Sequence, residues 1–276
     1  MIRLGVLGHP VAHSRSPELH AQFARQVGLE IDYQKLDVAP GHFASEVTRL
    51  QAEKWVGCNV TVPFKPDAFD LCTTLSREAE VAGVVNTLVF HDTGAIKGYN
   101  TDGPGLVADM TTHQGWDLDR ARVLILGAGG ATQGVLGALL ETNPASIHVW
   151  NRTHARAEQL VHQHDDARVT AMAADDLESH YDFVLHASAA GLQGQRVEVP
   201  VRCIGPSTRA YDLSYSAEPT PFLHWASSNG AAACADGLGM LIEQAALAFE
   251  IWFGVLPSTI PVRQAEGLAI GNGCLI

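Results

Sequence analysis

Basic residues are scarce in this chain: 18 lysines and arginines stand against 30 aspartates and glutamates, a formal net charge of −12 at pH 7. That balance removes the broad positive field needed for nonspecific nucleic-acid binding or attraction to an anionic membrane. It does not exclude a small anionic ligand, which responds to local charge. Cysteine is sparse as well. Cys58, Cys72, Cys203, Cys234 and Cys274 are scattered, odd in number and form no C-x-x-C, so the simplest reading is free thiols in a reducing, cytoplasmic setting. No apolar run approaches transmembrane length. Met1-Ile2-Arg3-Leu4-Gly5-Val6-Leu7 is too short for a secretory signal and lacks a cleavage pattern. The 13 histidines invite a metal, but H-E-x-x-H is missing, and His162 and His164 beside Asp165 and Asp166 read as a solvated polar turn. No metal is expected. Internal repeats and low-complexity segments are also lacking.

What is present is a large reserve of apolar residues. They make up 46% of the 276 positions, with 17% charged, which argues against disorder and allows a substantial core in more than one domain.

The most informative stretch runs from Val123 to Thr153. Val123-Leu124-Ile125-Leu126 is a continuous apolar run, suited to a buried parallel strand. Gly127-Ala128-Gly129-Gly130 follows, then a helical stretch from Ala131 to Leu140, stopped by Pro144, and a second strand at Ile147-His148-Val149-Trp150. A strand, a glycine turn, a helix and a strand are the context in which G-x-G signals dinucleotide binding. Gly127 permits the tight turn, Gly129 lets backbone approach a pyrophosphate, and the helix N-terminus offers free N–H groups. Thr132 stands where a third glycine would fall. At the end of the second strand, where an NAD enzyme places a carboxylate on the ribose, this chain has Asn151-Arg152-Thr153, with Arg156 close behind. Guanidinium pairs with phosphate through two parallel bonds, so the pattern predicts a pocket for the 2′-phosphate of NADP. The plainer alternative is two solvated arginines at a helix start.

Strands and helices alternate along the rest of the chain, an α/β pattern. In the first third, strands are expected at Ile2–Leu7, Asp32–Val38, Val56–Pro63, Val84–Phe90 and Ile96–Gly103, with helices from Ser16, over Phe43–Leu50 and over Ser76–Ala82. Ser16-Pro17-Glu18 reads as a helix start with Ser16 as cap, and a helix is expected over Gly105–His113. Downstream, a helix is expected over Ala155–His164 and strands at Val169–Met172, Asp182–Ala187, Ala210–Tyr215 and Gly230–Cys234. A loop falls at Ala189–Leu192 and a helix over Thr220–Ser228. A long helix then runs to Gly254, apolar on one face apart from Gln244, and the tail ends loosely at Gly271-Asn272-Gly273.

Several residues remain open on sequence grounds. Ser14 and Ser16 beside a helix N-terminus suit a bound carboxylate, or they simply satisfy a turn and a cap. Lys65 follows a strand at the end where open α/β sheets hold ligands, and is either catalytic or a solvated surface residue. Asn86 needs a partner if buried.

Taken together these strings resemble the shikimate dehydrogenase family. The resemblance spans Gly8 to about Pro257. It rests on His13-Ser14-Arg15-Ser16-Pro17, Asn59-Val60-Thr61-Val62-Pro63-Phe64-Lys65, Val85-Asn86-Thr87, Asn100-Thr101-Asp102-Gly103, Gly127-Ala128-Gly129-Gly130-Ala131, Asn151-Arg152-Thr153 and Asp236-Gly237-Leu238-Gly239-Met240-Leu241. It implies an α/β protein with an N-terminal α/β substrate domain, an NADP-binding Rossmann domain and C-terminal helices returning to the first domain. The expected bounds are 1–103, with 237–276 packing back on it, and 104–236. It implies reversible reduction of 3-dehydroshikimate to shikimate by NADPH. Lys65 and Asp102 would be the catalytic pair. Ser14 and Ser16 would hold the substrate carboxylate with Tyr215 nearby, while Thr61, Asn86 and Gln244 would join Lys65 and Asp102 around its hydroxyls. Gly127, Ala128, Gly129, Gly130, Ala131, Asn151, Arg152, Thr153, Arg156, Leu213 and Gly237 would hold the cofactor. The expected partner is the small-molecule substrate, with no nucleic acid or membrane, in a monomer or homodimer.

The chain departs from the family at three places, one of them His9, where an Asn commonly follows Gly8. His186-Ala187-Ser188-Ala189-Ala190-Gly191 stands where the usual string begins Asn-Ala-Thr, and Leu213-Ser214-Tyr215 varies from a commoner pattern with Met. Both would lie near the nicotinamide end. Two rivals remain: an NAD-using quinate/shikimate dehydrogenase, which Arg152 opposes, and a non-catalytic regulator of the same fold, which has no need of Lys65 and Asp102.

Overall fold

The computed structural model describes residues 1–188 and 199–268. The loop expected at Ala189–Leu192, the tail stretch Gly271-Asn272-Gly273 and Cys274 lie outside them. The chain forms two compact units, Met1–Gly105 with Leu241–Leu268, and Leu106–Met240.

The first unit carries strands β1 (Ile2–Gly8), β2 (Ile31–Asp37), β3 (Gly57–Val60), β4 (Thr74–Leu75), β5 (Thr87–Phe90) and β6 (Ile96–Tyr99). They form one sheet in the order β2-β1-β3-β5-β6-β4. β1 runs parallel to β2 and β3, and β5 runs antiparallel to both β3 and β6. Helices α1 (Ser16–Gln26), α2 (Phe43–Ala52), α3 (Lys65–Leu71) and α4 (Arg77–Ala82) fall between strands, and α5 (Asp102–Ala108) follows the last. Phe43, Val47 and Leu50 recur at helical spacing on α2 and are buried with Leu7, Cys58, Val60, Phe64 and Leu88. Each fully buried side chain of this size contributes about 1.5–3 kcal/mol before entropy is counted.

α5 continues through a π-helical turn, Asp109–His113, into the second unit. There β7 (Arg122–Leu126), β8 (Ser146–Trp150), β9 (Val169–Met172), β10 (Phe183–His186), β11 (Arg209–Asp212) and β12 (Ala233–Asp236) form an all-parallel sheet in the order β12-β11-β10-β7-β8-β9. Chain direction across the sheet reverses between β7 and β10, the doubly wound order in which ligands bind beyond the strand ends at that reversal. Val123 and Ile125 pack on one face with Val135, Leu136 and Leu139 of α6 (Gly130–Glu141), while Leu124 and Leu126 pack on the other with Phe222 and Trp225 of α8 (Pro221–Ser228). This two-sided burial is why the strand reads as an unbroken apolar run. α7 (His154–His164) links β8 to β9, α9 (Leu238–Phe253) returns the chain to the first unit, and α10 (Ile260–Ala265) follows. None of the described helices is long and apolar enough to cross a membrane.

Some expected boundaries are corrected. Ser16 is the first residue of α1 rather than its cap; Arg15 holds the cap position and no side chain caps the helix. Helix α3 and strand β4 are additions to the expected elements. The expected strand Val56–Pro63 stops at Val60, because Thr61 and the residues after it turn into α3. Asp102 opens α5, which starts three residues earlier than expected because Asn100 Oδ1 accepts from the Asp102 amide at 2.9 Å. The expected strand Ala210–Tyr215 ends at Asp212, leaving Leu213 and Tyr215 in the turn beyond it. The last strand is Ala233–Asp236, not Gly230–Cys234. On α9 Gln244 is not the sole buried polar residue, since Glu243 is buried too, with Arg263 Nη1 at 3.3 Å.

Candidate active site

In the first unit, α3 begins with Lys65 and α5 begins with Asp102. Lys65 Nζ donates to Asp102 Oδ2 at 2.5 Å, with the two side chains only 14% and 10% exposed. Asp102 Oδ1 accepts from Asn86 Nδ2 at 3.0 Å. Asn86 is buried, and the need for a partner is met several times over. Its Nδ2 also approaches Thr101 Oγ1 at 2.8 Å and Gln244 Oε1 at 3.2 Å, and its Oδ1 accepts from the Thr101 amide at 3.0 Å. Gln244 Nε2 donates to Leu241 O at 2.9 Å, fixing which end of the amide faces Asn86. Lys65, Asn86, Asp102 and Gln244 are thus brought together. An ammonium held this way is a proton donor of fixed position and a partner for a developing alkoxide.

Ser14 and Ser16 also meet. Ser14 Oγ donates to Ser16 Oγ at 3.2 Å and accepts from the Ser16 amide at 3.3 Å. Thr61 packs its methyl against Gly8 and is half-buried. The sequence reading missed Tyr33, Asn59 and Thr87. Tyr33 Oη donates to Asn59 Oδ1 at 2.7 Å, Asn59 Nδ2 to Thr87 Oγ1 at 3.0 Å, and Thr87 Oγ1 to Asn86 Oδ1 at 2.9 Å. Burial raises the Tyr33 pKa well above its ordinary value, against the lowering effect of the nearby Ser16 hydroxyl. The polar chain therefore runs from Tyr33 through Asn59, Thr87 and Asn86 to Asp102, each link polarising the next. His20 closes it from the side, with Nε2 3.2 Å from Asn59 Oδ1 and the ring stacked 4.5 Å from that of Tyr33. Burial lowers the His20 pKa to about 3, against the raising effect of Asn59. For Asn59 and Thr87 the signal was a polar side chain in a short, otherwise apolar strand; Tyr33, in the polar strand β2, left none.

The second unit holds the expected nucleotide residues. Gly127 has φ +121°, and a Cβ there would stand 2.9 Å from Ala187 O, so only glycine fits the turn. Thr132 is fully buried and donates to Gly127 O at 2.8 Å, which explains its standing in place of a third glycine. Gly129 caps α6, and among the described residues no heavy atom outside the adjoining backbone lies within 4 Å of where a Cβ would stand on Gly129 or Gly130. That open cradle beside free helix N–H groups fits a pyrophosphate. Ala128 N donates to Asn151 Oδ1 at 3.2 Å, tying the glycine turn to the end of β8. A groove lined by Ala128, Gln133, Arg156, Gln159, Leu160 and Gln163 continues from it. Arg152, Thr153 and Arg156 are exposed, and Ala131 is half-buried. Leu213 and Gly237 are neighbours: a Cβ on Gly237 would fall 2.1 Å from Leu213 O. Tyr215 lies two residues beyond Leu213, half-buried. Among the described residues, no group of three or more His, Cys, Asp or Glu is placed to hold a metal ion.

Three family models match the chain: a shikimate dehydrogenase substrate binding domain over residues 6–88, a shikimate / quinate 5-dehydrogenase over 108–194, and a shikimate 5′-dehydrogenase C-terminal domain over 237–265. The chain is 46% identical over 263 residues to a shikimate dehydrogenase (NADP(+)) of Alcanivorax borkumensis, covering 94% of each. It is 46% identical over 274 residues to one of an Acidovorax species, covering 97% of this chain and 96% of that protein. It is also similar to the crystal structure of shikimate 5-dehydrogenase from Thermus thermophilus in complex with NADP(H) and shikimate, with a TM-score of 0.86, 33% identity, and 97% and 99% of the two chains covered. With domain-length matches over both units and identity of this size along nearly the whole sequence, the chain belongs to the shikimate dehydrogenase family.

Proposed function

We propose that this protein is an NADP-dependent shikimate dehydrogenase, catalysing the reversible reduction of 3-dehydroshikimate to shikimate on the way to aromatic amino acids. The observation that carries the reading is the Lys65 ammonium held at 2.5 Å by Asp102, whose other oxygen is held by buried Asn86. The bound nicotinamide supplies hydride exchange at the substrate carbon. When shikimate is oxidised, the hydroxyl proton passes to the Lys65–Asp102 pair; in the reverse direction Lys65 protonates the oxygen that gains the electron pair. Asn86, Thr61 and Gln244 bind substrate hydroxyls together with this pair. Ser14 and Ser16, with Tyr215, take the substrate carboxylate. The residues 1–103 and 237–276 act as the substrate domain and 104–236 as the cofactor domain.

Gly127, Ala128, Gly129, Gly130 and Ala131 hold the pyrophosphate, with Leu213 and Gly237 toward the nicotinamide. Asn151, Arg152, Thr153 and Arg156 hold the adenosine end, the two arginines on the 2′-phosphate. A ribose-binding carboxylate is missing there, which favours NADP over NAD. Cys58, Cys72 and Cys203 are free thiols, and burial pushes Cys72 up to about 12 and Cys203 to about 11. Unreactive thiols of this kind suit a cytoplasmic enzyme. It works as a monomer or homodimer on a small-molecule substrate.

Absorbance at the NADPH band, with purified protein, shikimate and either NADP or NAD, tests the reading. Turnover with NADP well above that with NAD is expected. No turnover with either cofactor, on shikimate or quinate, overturns it in favour of a binding protein.

A further inference from the structure

His186 and Asp212 end the neighbouring parallel strands β10 and β11 in direct register. Both side chains are fully buried, and His186 Nδ1 lies 3.1 Å from Asp212 Oδ1, close but outside hydrogen-bond geometry, with no hydrogen-bond partner among the described residues. Asp212 is itself pinned: Thr220 Oγ1 donates to Oδ2 at 2.6 Å, and the Ser214 amide donates to Oδ1 at 3.0 Å. The imidazole stacks on Phe222 with 5.0 Å between ring centroids. Its other nitrogen, Nε2, is 2.8 Å from the half-buried Ser188 Oγ. Ser188 sits at the sheet reversal between β7 and β10, close enough to the glycine turn that a Cβ on Gly127 would stand 3.1 Å from the Ser188 amide nitrogen. Nothing in the proposed reaction uses His186.

The orientation of the ring follows from Asp212. Its carboxylate, 3.1 Å from Nδ1, can only accept, so it favours the ring tautomer with the proton on Nδ1, in which Nε2 is left as an acceptor. Ser188 must then spend its single O–H on Nε2. Its oxygen lone pairs are left for whatever lies in the crevice beside the glycine turn. The geometry points to His186 as a positioning residue that sets Ser188 as a hydrogen-bond acceptor for an N–H or O–H donor of the bound NADP, its carboxamide or a ribose hydroxyl. This rests on the NADP reading above.

The test is calorimetric titration of NADP into the intact chain, Ser188→Ala, His186→Asn and the double variant, beside 15N NMR of the histidine rings of the intact chain. Each single substitution is expected to raise the NADP dissociation constant about three- to tenfold, the range of one neutral hydrogen bond. The double variant should match the singles rather than multiply them. The KM for NADP should rise while that for shikimate stays unchanged. An NADP analogue with acetyl in place of the carboxamide separates the two donors. Equal binding to the intact chain and Ser188→Ala assigns the carboxamide, and the same loss as with NADP assigns a ribose hydroxyl. The His186 ring should show the Nδ1–H tautomer, a measurement that needs no variant to fold. An Nε2–H tautomer, unchanged NADP affinity in Ser188→Ala, or fully multiplicative effects overturn the inference alone. Failure of the intact chain to bind NADP overturns it together with the reading beneath it.

Discussion

Lys65 and Asp102 form an ion pair of 2.5 Å, and the aspartate's second oxygen is taken by Asn86 at 3.0 Å. A carboxylate engaged on both sides cannot rotate away from the ammonium without breaking a buried bond. Asp102→Asn keeps the shape and removes the charge. A fall in kcat of about 10²–10⁴-fold is expected, the usual scale of a proton-transfer group, with the melting curve little changed. Steady-state kinetics beside a thermal melt check it. A kcat within about threefold of the intact chain would assign Asp102 a structural role.

The arginines after β8 carry a second prediction. Arg152→Asp would remove the charge-assisted bond proposed for the 2′-phosphate and put a carboxylate where NAD enzymes have one. NADP binding should weaken by about 1.5–3 kcal/mol while NAD binding holds or improves. Titration of both nucleotides decides, and an unchanged ratio of the two affinities would remove Arg152 from the cofactor site.

His20 links pH to stability. Its pKa falls from 6.5 to about 3 on folding, chiefly through burial. Between those values the unfolded chain binds a proton that the folded chain does not. Its contribution to stability is therefore fully present above pH 6.5 and is lost as the pH falls toward 3, by at most about 1.4 kcal/mol per pH unit. His20→Phe should flatten the acid limb of a denaturant-derived stability profile between pH 6 and 4. The same slope in the variant would show that another group drives it.

The glycine turn gives a prediction about packing. At Gly127 the backbone has φ +121° and a Cβ would meet Ala187 O at 2.9 Å. Gly127→Ala is expected to cost about 1–3 kcal/mol, seen as a melting temperature several degrees lower, and to weaken NADP binding. A melt indistinguishable from that of the intact chain would mean the turn can relax.

Elements whose causes are local are legible in the sequence. β7, the glycine turn and α6 follow from an apolar run, a G-x-G and helical spacing over about thirty residues, a unit complete within itself. The site residues are legible through their strings, and Lys65, Asn86, Asp102 and Gln244 do meet in the structure. What the sequence conceals depends on distant partners. Ser16 looks like a cap, but it is the first helical residue, its hydroxyl is paired with that of Ser14, and Arg15 holds the cap position. Asp102 opens α5 because Asn100 holds its amide. The buried link Tyr33–Asn59–Thr87–Asn86 joins β2, β3 and β5, and no spacing along the chain announces it. α3 does leave a signal, Pro66 in its first turn, but Pro63 reads first as a strand end and masks it.

The most direct measurement is the rate of NADPH formation by Lys65→Ala with saturating shikimate and NADP, set beside its shikimate dissociation constant. If Lys65 carries the proton, kcat falls at least about 10²-fold while shikimate still binds within a few-fold of the intact chain. A kcat close to that of the intact chain, or a loss of rate fully explained by lost shikimate binding, would contradict the role given to the Lys65–Asp102 pair.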